Sequence, residues 1–166
     1  MIAHQPAGDV PTPTPRRSVL VIDDDAALRA AVRRFLEREG YEVTESTSGR
    51  DALARLREGT VVQLIVTDLK MKDGSGGWLL AQVGYEFPAL LPRTLVMSGD
   101  AGSAAAAHVT ARWRCPILPK PFGAAALIDA LQTLERASCS LPSTHVQVPR
   151  YARDDNPSGV MRAGRR

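Results

Sequence analysis

The chain has 166 residues, 21 Lys and Arg against 18 Asp and Glu, 44% hydrophobic residues and 2 Cys, which suits one globular domain and leaves little room for a second. Cys115 and Cys139 form neither a disulfide framework nor a zinc spacing. The opening MIAHQPAGDVPTPTPRR lacks a signal-peptide core, and no apolar run approaches the ~18 residues of a membrane span, so a cytoplasmic protein with no membrane contact is expected.

The net charge of +3 sits in the ends. After Ser138 five arginines face only Asp154 and Asp155, and before Ser18 the pair Arg16 and Arg17 faces Asp9, so the body between is near neutral. Seven of the 12 prolines lie in the same ends, where apolar content is too low to offset the entropy of ordering. The expected organisation is a disordered tail at 1–17, one domain at 18–137 and a disordered basic tail at 138–166. The terminal arginines read as solvated charge, so no direct nucleic-acid partner is expected.

Within the body, apolar runs rich in β-branched residues alternate with stretches of helical period, the pattern of βα units around a buried parallel sheet. A strand at 18–22 precedes Leu28, Ala31, Val32, Phe35 and Leu36 at helical spacing, with Gly40 at the helix stop. A strand at 41–45 follows, then Ser48 and Asp51 as a capping box before a helix ending at Gly59. The third strand, 63–67, leads through Gly74, Gly76 and Gly77 to a short helix at 78–81. The fourth, 94–97, precedes an Ala-rich helix at 101–112. The fifth, 115–119, has a proline near each end, as an edge strand tolerates, and Leu127, Ile128, Leu131 and Leu134 mark a last amphipathic helix. Five right-handed βα crossovers give a three-layer doubly wound α/β sandwich, whose ligands gather beyond the carboxyl ends of the strands.

At those ends stand Asp23, Asp24 and Asp25 after strand one, Asp68 after strand three, Ser98 after strand four and Lys120 after strand five. Crowded carboxylates repel unless a cation neutralises them, and a hard, oxygen-seeking cation such as Mg2+ suits the group. Lys120 can pair with a carboxylate or an oxyanion, and Ser98 offers a hydroxyl donor. Asp25 reads more readily as a helix N-cap than as a ligand.

The stretches V-L-V-I-D-D-D-A-A-L-R, L-I-V-T-D-L-K-M-K-D-G-S-G, L-V-M-S-G-D and I-L-P-K-P-F resemble the receiver domain of two-component response regulators, from about Ser18 to Ala137. The resemblance implies a (βα)5 flavodoxin-like fold with strand order 2-1-3-4-5. It implies that Asp68 accepts a phosphoryl group from a histidine kinase or phosphotransfer protein. It implies a Mg2+ site made of Asp24 directly, Asp23 through water, Asp68 and the backbone carbonyl of Lys70. Ser98 and Lys120 then match the residues that bind the phosphoryl oxygens, and Pro121 matches a proline whose bond to that lysine is usually cis. Gly99, small and next to Ser98, leaves water access to the phosphoryl group, while Lys70 and Asp100 flank the path and tune dephosphorylation. Such a protein is a phosphoacceptor switch with self-catalysed transfer and hydrolysis rather than an enzyme. As a single-domain regulator it would signal to a downstream protein through the face of helix four, strand five and helix five.

Two positions depart from the family pattern. Ile117 occupies a place where many receivers carry an aromatic switch residue, and Lys72 stands where the family usually has Pro. Two alternatives compete with the phosphoacceptor reading. A pseudo-receiver acting as a phosphorylation-independent protein-binding module is disfavoured because Asp68, the acidic pair and Lys120 are all present. A haloacid-dehalogenase-type enzyme would also use Asp, Mg2+, Ser and Lys, but Ala27 stands where it wants Thr or Val. His108 reads as a solvated helix residue, Trp78 and Trp113 as packing residues, and Cys115 as a small apolar residue at a strand edge.

Overall fold

The computed structural model describes residues 17–139; of the expected tails at 1–17 and 138–166, residues 1–16 and 140–166 lie outside the described residues, while Arg17 belongs to the first strand and 138–139 to the last helix. Five strands, β1 (Arg17–Ile22), β2 (Tyr41–Ser46), β3 (Leu64–Asp68), β4 (Thr94–Ser98) and β5 (Ile117–Pro119), form one parallel sheet in the order β2-β1-β3-β4-β5. Between and after them run α1 (Ala26–Arg38), α2 (Gly49–Arg57), α3 (Gly76–Glu86), α4 (Ala104–Trp113) and α5 (Ala124–Cys139). This is the doubly wound (βα)5 flavodoxin-like sandwich.

Strand pleating divides the core. Val19 and Val21 face α1 and α5, packing with Val32, Leu36, Leu127 and Leu131, whereas Leu20 and Ile22 face α2 and α3, packing with Leu53, Leu56, Leu79 and Val83. A third cluster joins Val96 and Leu80 to Ala106 and Val109 of α4. Each fully buried Val or Leu contributes roughly 1.5–3 kcal/mol relative to exposure, which holds the central strands immobile beneath the residues at their ends.

Local signals account for most boundaries. Asp25 is the N-cap of α1, its carboxylate accepting from the N–H groups of Ala27 and Leu28 at 2.8 and 3.1 Å. Gly40 ends the same unit with φ +83°, a conformation costly for any side chain. Ser48 caps α2 through Asp51 N–H, but only half of the expected capping box forms. The Asp51 carboxylate instead accepts from Ser46 Oγ at 2.6 Å and from Arg55 at 3.1 Å.

Four expectations are corrected. β1 starts at Arg17 rather than Ser18, because the Arg17 side chain is tied to Glu135 of α5 at 3.0 Å and to the Tyr41 hydroxyl at 3.4 Å. α3 covers 11 residues rather than four: Ser75 caps it through Trp78 N–H at 3.3 Å, which lets Gly76 and Gly77 enter the first turn. α4 begins at Ala104, since Ser103 is its cap, and β5 is only three residues long, since Arg114 turns left-handed and Pro116 has no N–H for the ladder. A 3-10 turn at Pro88–Arg93, which periodicity did not announce, delivers the chain to β4. Among the described residues no helix is long and apolar enough to cross a membrane.

Candidate functional site

Parallel register aligns the strand ends. Ile22 lies opposite Ser46 on one side and Thr67 on the other, Asp68 lies opposite Met97, and Ser98 opposite Pro119. Asp23, Asp68, Ser98 and Lys120 therefore emerge along one edge of the sheet.

Lys120 holds the group together. Its ammonium lies 3.0 Å from Asp23 Oδ2 and 2.9 Å from Asp68 Oδ1. The carboxylates of Asp23 and Asp68 are buried and that of Asp24 is exposed, and one oxygen from each lies within 4.8 Å of the others. Asp25 points into its own helix instead, so of its two readings the N-cap is the one observed.

Burial pushes the Asp68 carboxyl above the ordinary carboxylate range; the hydrogen bond and charge of Lys120 pull it back, Asp23 adds repulsion, and the Lys70 N–H stabilises the charged form. Burial also works against the Lys120 ammonium, but its hydrogen bonds to Asp68 and Asp23 and their charges outweigh it and raise its pKa. Three carboxylates against one ammonium leave two negative charges, which one divalent cation cancels. All the donors are oxygens, which suits a hard divalent cation such as Mg2+, and the exposed side at Asp24 leaves room for the waters such an ion keeps.

The rest of the edge is equally specific. Asp23 N–H donates to Ser46 O at 3.3 Å, and its Oδ1 accepts from Asp25 N–H at 2.8 Å. Lys120 N–H donates to Ser98 O at 2.7 Å, and the Lys120–Pro121 peptide is cis. Ser98, buried, accepts from Asp100 N–H at 3.1 Å through its hydroxyl oxygen. Asp100 O then accepts both the N–H and the hydroxyl of Ser103, the cap of α4. Gly99 is exposed with open space where a Cβ would stand; Lys70, Lys72 and Asp100 are exposed as well.

Residues read as structural stay so. His108 is exposed on α4, Trp78 packs on the α2–α3 core, and Trp113 and Cys115 join the cluster beneath α4, where burial pushes the Cys115 thiol up to about 11. One site residue escaped the sequence reading. Arg29 of α1 donates from Nη1 to the main-chain oxygen of Asp23 at 2.8 Å; its position one turn past the Asp25 cap was the available signal.

The sequence matches the response regulator receiver domain profile over residues 19–132. The sensor kinase CckA of Brucella abortus (strain 2308) is 34% identical over 106 residues, 63% of this chain and 11% of that protein. The DNA-binding transcriptional regulator NtrC of Rhizobium meliloti (strain 1021) is 34% identical over 114 residues, 69% of this chain and 23% of that protein. This chain thus spans less than a quarter of either relative. A solved receiver domain protein of Methanospirillum hungatei JF-1, described as CheY-like, shares the fold with a TM-score of 0.68 at 23% identity, covering 76% of this chain and 99% of that one. With strand order, strand-end residues and profile in agreement, the chain belongs to the response regulator receiver domain family of two-component systems.

Proposed function

We propose that Asp68 accepts a phosphoryl group from a phosphohistidine of a histidine kinase or phosphotransfer protein. The observation that carries this reading is the Lys120 ammonium, within 3.0 Å of both Asp68 and Asp23. An Asp68 oxygen forms the new O–P bond as the P–N bond breaks, and the leaving imidazole nitrogen keeps the electron pair and takes up a proton. Lys120 moves its positive charge from the free carboxylate to a phosphoryl oxygen. Asp24, Asp23 through water, Asp68 and the Lys70 carbonyl would hold Mg2+, which when bound neutralises charge on the phosphoryl oxygens.

Ser98 turns its hydroxyl to the phosphoryl oxygen and so gives up Asp100 N–H. The Asp100–Ser103 bonds carry that change to the start of α4, biasing a two-state equilibrium read by a downstream protein on the α4-β5-α5 face. Ile117 packs in the cluster beneath α4, so the α4 displacement proceeds without an aromatic ring turning at that position. Gly99 admits water to the acyl phosphate, and Lys70 and Asp100 set its lifetime. Output is by protein contact on that face, in the cytoplasm.

Intact mass after incubation with acetyl phosphate, with and without Mg2+ and beside Asp68→Ala, tests the reading. One phosphoryl group added only with Mg2+ and only to the wild type supports it. No adduct, together with no response to beryllofluoride, overturns it in favour of a binding module that works without phosphorylation.

A further inference from the structure

The Asp23 carbonyl belongs to the peptide that joins the two adjacent acidic residues, so whatever fixes that peptide fixes one of the two peptide groups from which Asp24 leaves the backbone; the other is held by Asp23 Oδ1, which accepts from Asp25 N–H. Arg29 fixes the first. Its side chain is only 15% exposed; Nη1 donates to Asp23 O at 2.8 Å, and Nε donates to Glu45 Oε1 of β2 at 3.2 Å. Asp23 is held elsewhere as well, through its N–H to Ser46 O and through both carboxylate oxygens, to Asp25 N–H and Lys120. The exposed Asp24 side chain makes no hydrogen bond among the described residues. Its placement depends on the backbone, and of the two peptide groups flanking Asp24 the one on its N-terminal side is clamped by Arg29.

From this geometry we infer that Arg29, seated by Glu45, is a positioning residue for the acidic pair: it sets the Asp23–Asp24 peptide so that the Asp24 carboxylate faces Asp68, and thereby sets the affinity for a divalent cation. The inference rests on the proposed Mg2+-dependent phosphoacceptor reading. The planar guanidinium spans two acceptors on different elements from two of its nitrogens, which a lysine ammonium on a flexible stem reproduces poorly. Arg29 also brings positive charge near the trio, which opposes cation binding. The inference is that geometry outweighs this repulsion, because the guanidinium charge is already paired with Glu45, and partners that orient ligands typically change metal affinity by about 10-fold or more when removed.

Arg33 supplies an internal control. Its Nε lies 3.3 Å from Glu45 Oε2 without forming a hydrogen bond, and it does not touch Asp23. With either arginine removed, Glu45 keeps a cationic neighbour, so both variants leave the same carboxylate paired.

The test is a calorimetric titration of Mg2+ alone into wild type, Arg29→Ala, Arg29→Lys and Arg33→Ala, each checked for folding by circular dichroism. Acetyl phosphate uptake is followed as a function of Mg2+ concentration. The expected result is about 10-fold weaker Mg2+ binding in Arg29→Ala, a smaller loss in Arg29→Lys and wild-type affinity in Arg33→Ala. In Arg29→Ala uptake shifts to higher Mg2+ but reaches nearly the wild-type rate at saturation, a split that general destabilisation does not produce. Equal affinity in folded wild type and Arg29→Ala, or an equal loss in Arg33→Ala, overturns the inference. Should Arg29→Ala fail to fold, an unchanged affinity in Arg29→Lys overturns it. A wild type that takes up neither Mg2+ nor phosphoryl group instead overturns the phosphoacceptor reading beneath it.

Discussion

The ammonium of Lys120 stands 2.9 Å from Oδ1 of Asp68, so the charge that would stabilise an incoming phosphoryl group is already paired with the proposed phosphoacceptor. Lys120→Ala leaves Asp68 and Asp23 facing each other without a cation. Phosphoryl uptake is expected to slow roughly 100-fold, as for removal of one oxyanion-stabilising group, while Mg2+ binds more tightly to the more negative site. Uptake rates and a Mg2+ titration on the same preparation check both directions; wild-type uptake would contradict the pairing argument.

Ser98 and Asp100 are linked by a 3.1 Å hydrogen bond from Asp100 N–H to the serine hydroxyl. On activation with beryllofluoride the Asp100 amide is expected to lose this bond and exchange faster with solvent. In Ser98→Ala the bond is absent from the start, so its amide exchange should be fast and insensitive to the activator. Equal protection in both proteins, measured by amide hydrogen exchange, would disconnect Ser98 from α4.

Gly76 opens α3 against the end of β3, and a Cβ there would collide with the carbonyl of Asp68 and crowd Leu69 Cα. The neighbours are backbone, so the strand end itself must shift. Gly76→Ala is expected to lower stability by about 1–3 kcal/mol and to slow phosphoryl uptake by displacing Asp68. Denaturant unfolding within ~0.5 kcal/mol of wild type would show that the contact relaxes freely.

Much of this was legible because both faces of the sheet are covered. Val19 to Ile22 and Ile65 to Val66 are almost completely buried, so the strands read as unbroken apolar runs, and topology alone then carries Asp23, Asp68 and Ser98 to one edge. What stayed hidden depends on partners distant in sequence. Arg29 looks like one of several surface arginines until Glu45 and the Asp23 carbonyl are placed beside it. Asp51 fits a local capping box, yet Ser46, brought in by β2, takes its carboxylate. The turn at Pro88–Arg93 has no period to read, and α3 reads short in the sequence because Gly76 and Gly77 are weak helix formers, which the Ser75 cap carries into the first turn.

Tyr41 couples the opposite end of the sheet to α5. Burial, with Glu135 adding to it and Arg17 opposing, pushes its phenol from 10.0 up to about 12. A group whose folded pKa is raised contributes stability that is complete below its unfolded pKa and lost as pH rises through the folded one. Wild type should therefore lose stability between pH 10.0 and about 12 more steeply than Tyr41→Phe. Parallel stability curves for the two proteins would contradict the assignment.

The most direct measurement of the central claim is the position of the acyl phosphate. The protein is loaded with acetyl phosphate and Mg2+, reduced with borohydride, which converts an aspartyl phosphate to homoserine, digested and sequenced by mass spectrometry. Homoserine at position 68 alone, and none without Mg2+, is the predicted result. Homoserine at position 23 or 24, or none in a protein that binds Mg2+, would contradict the account.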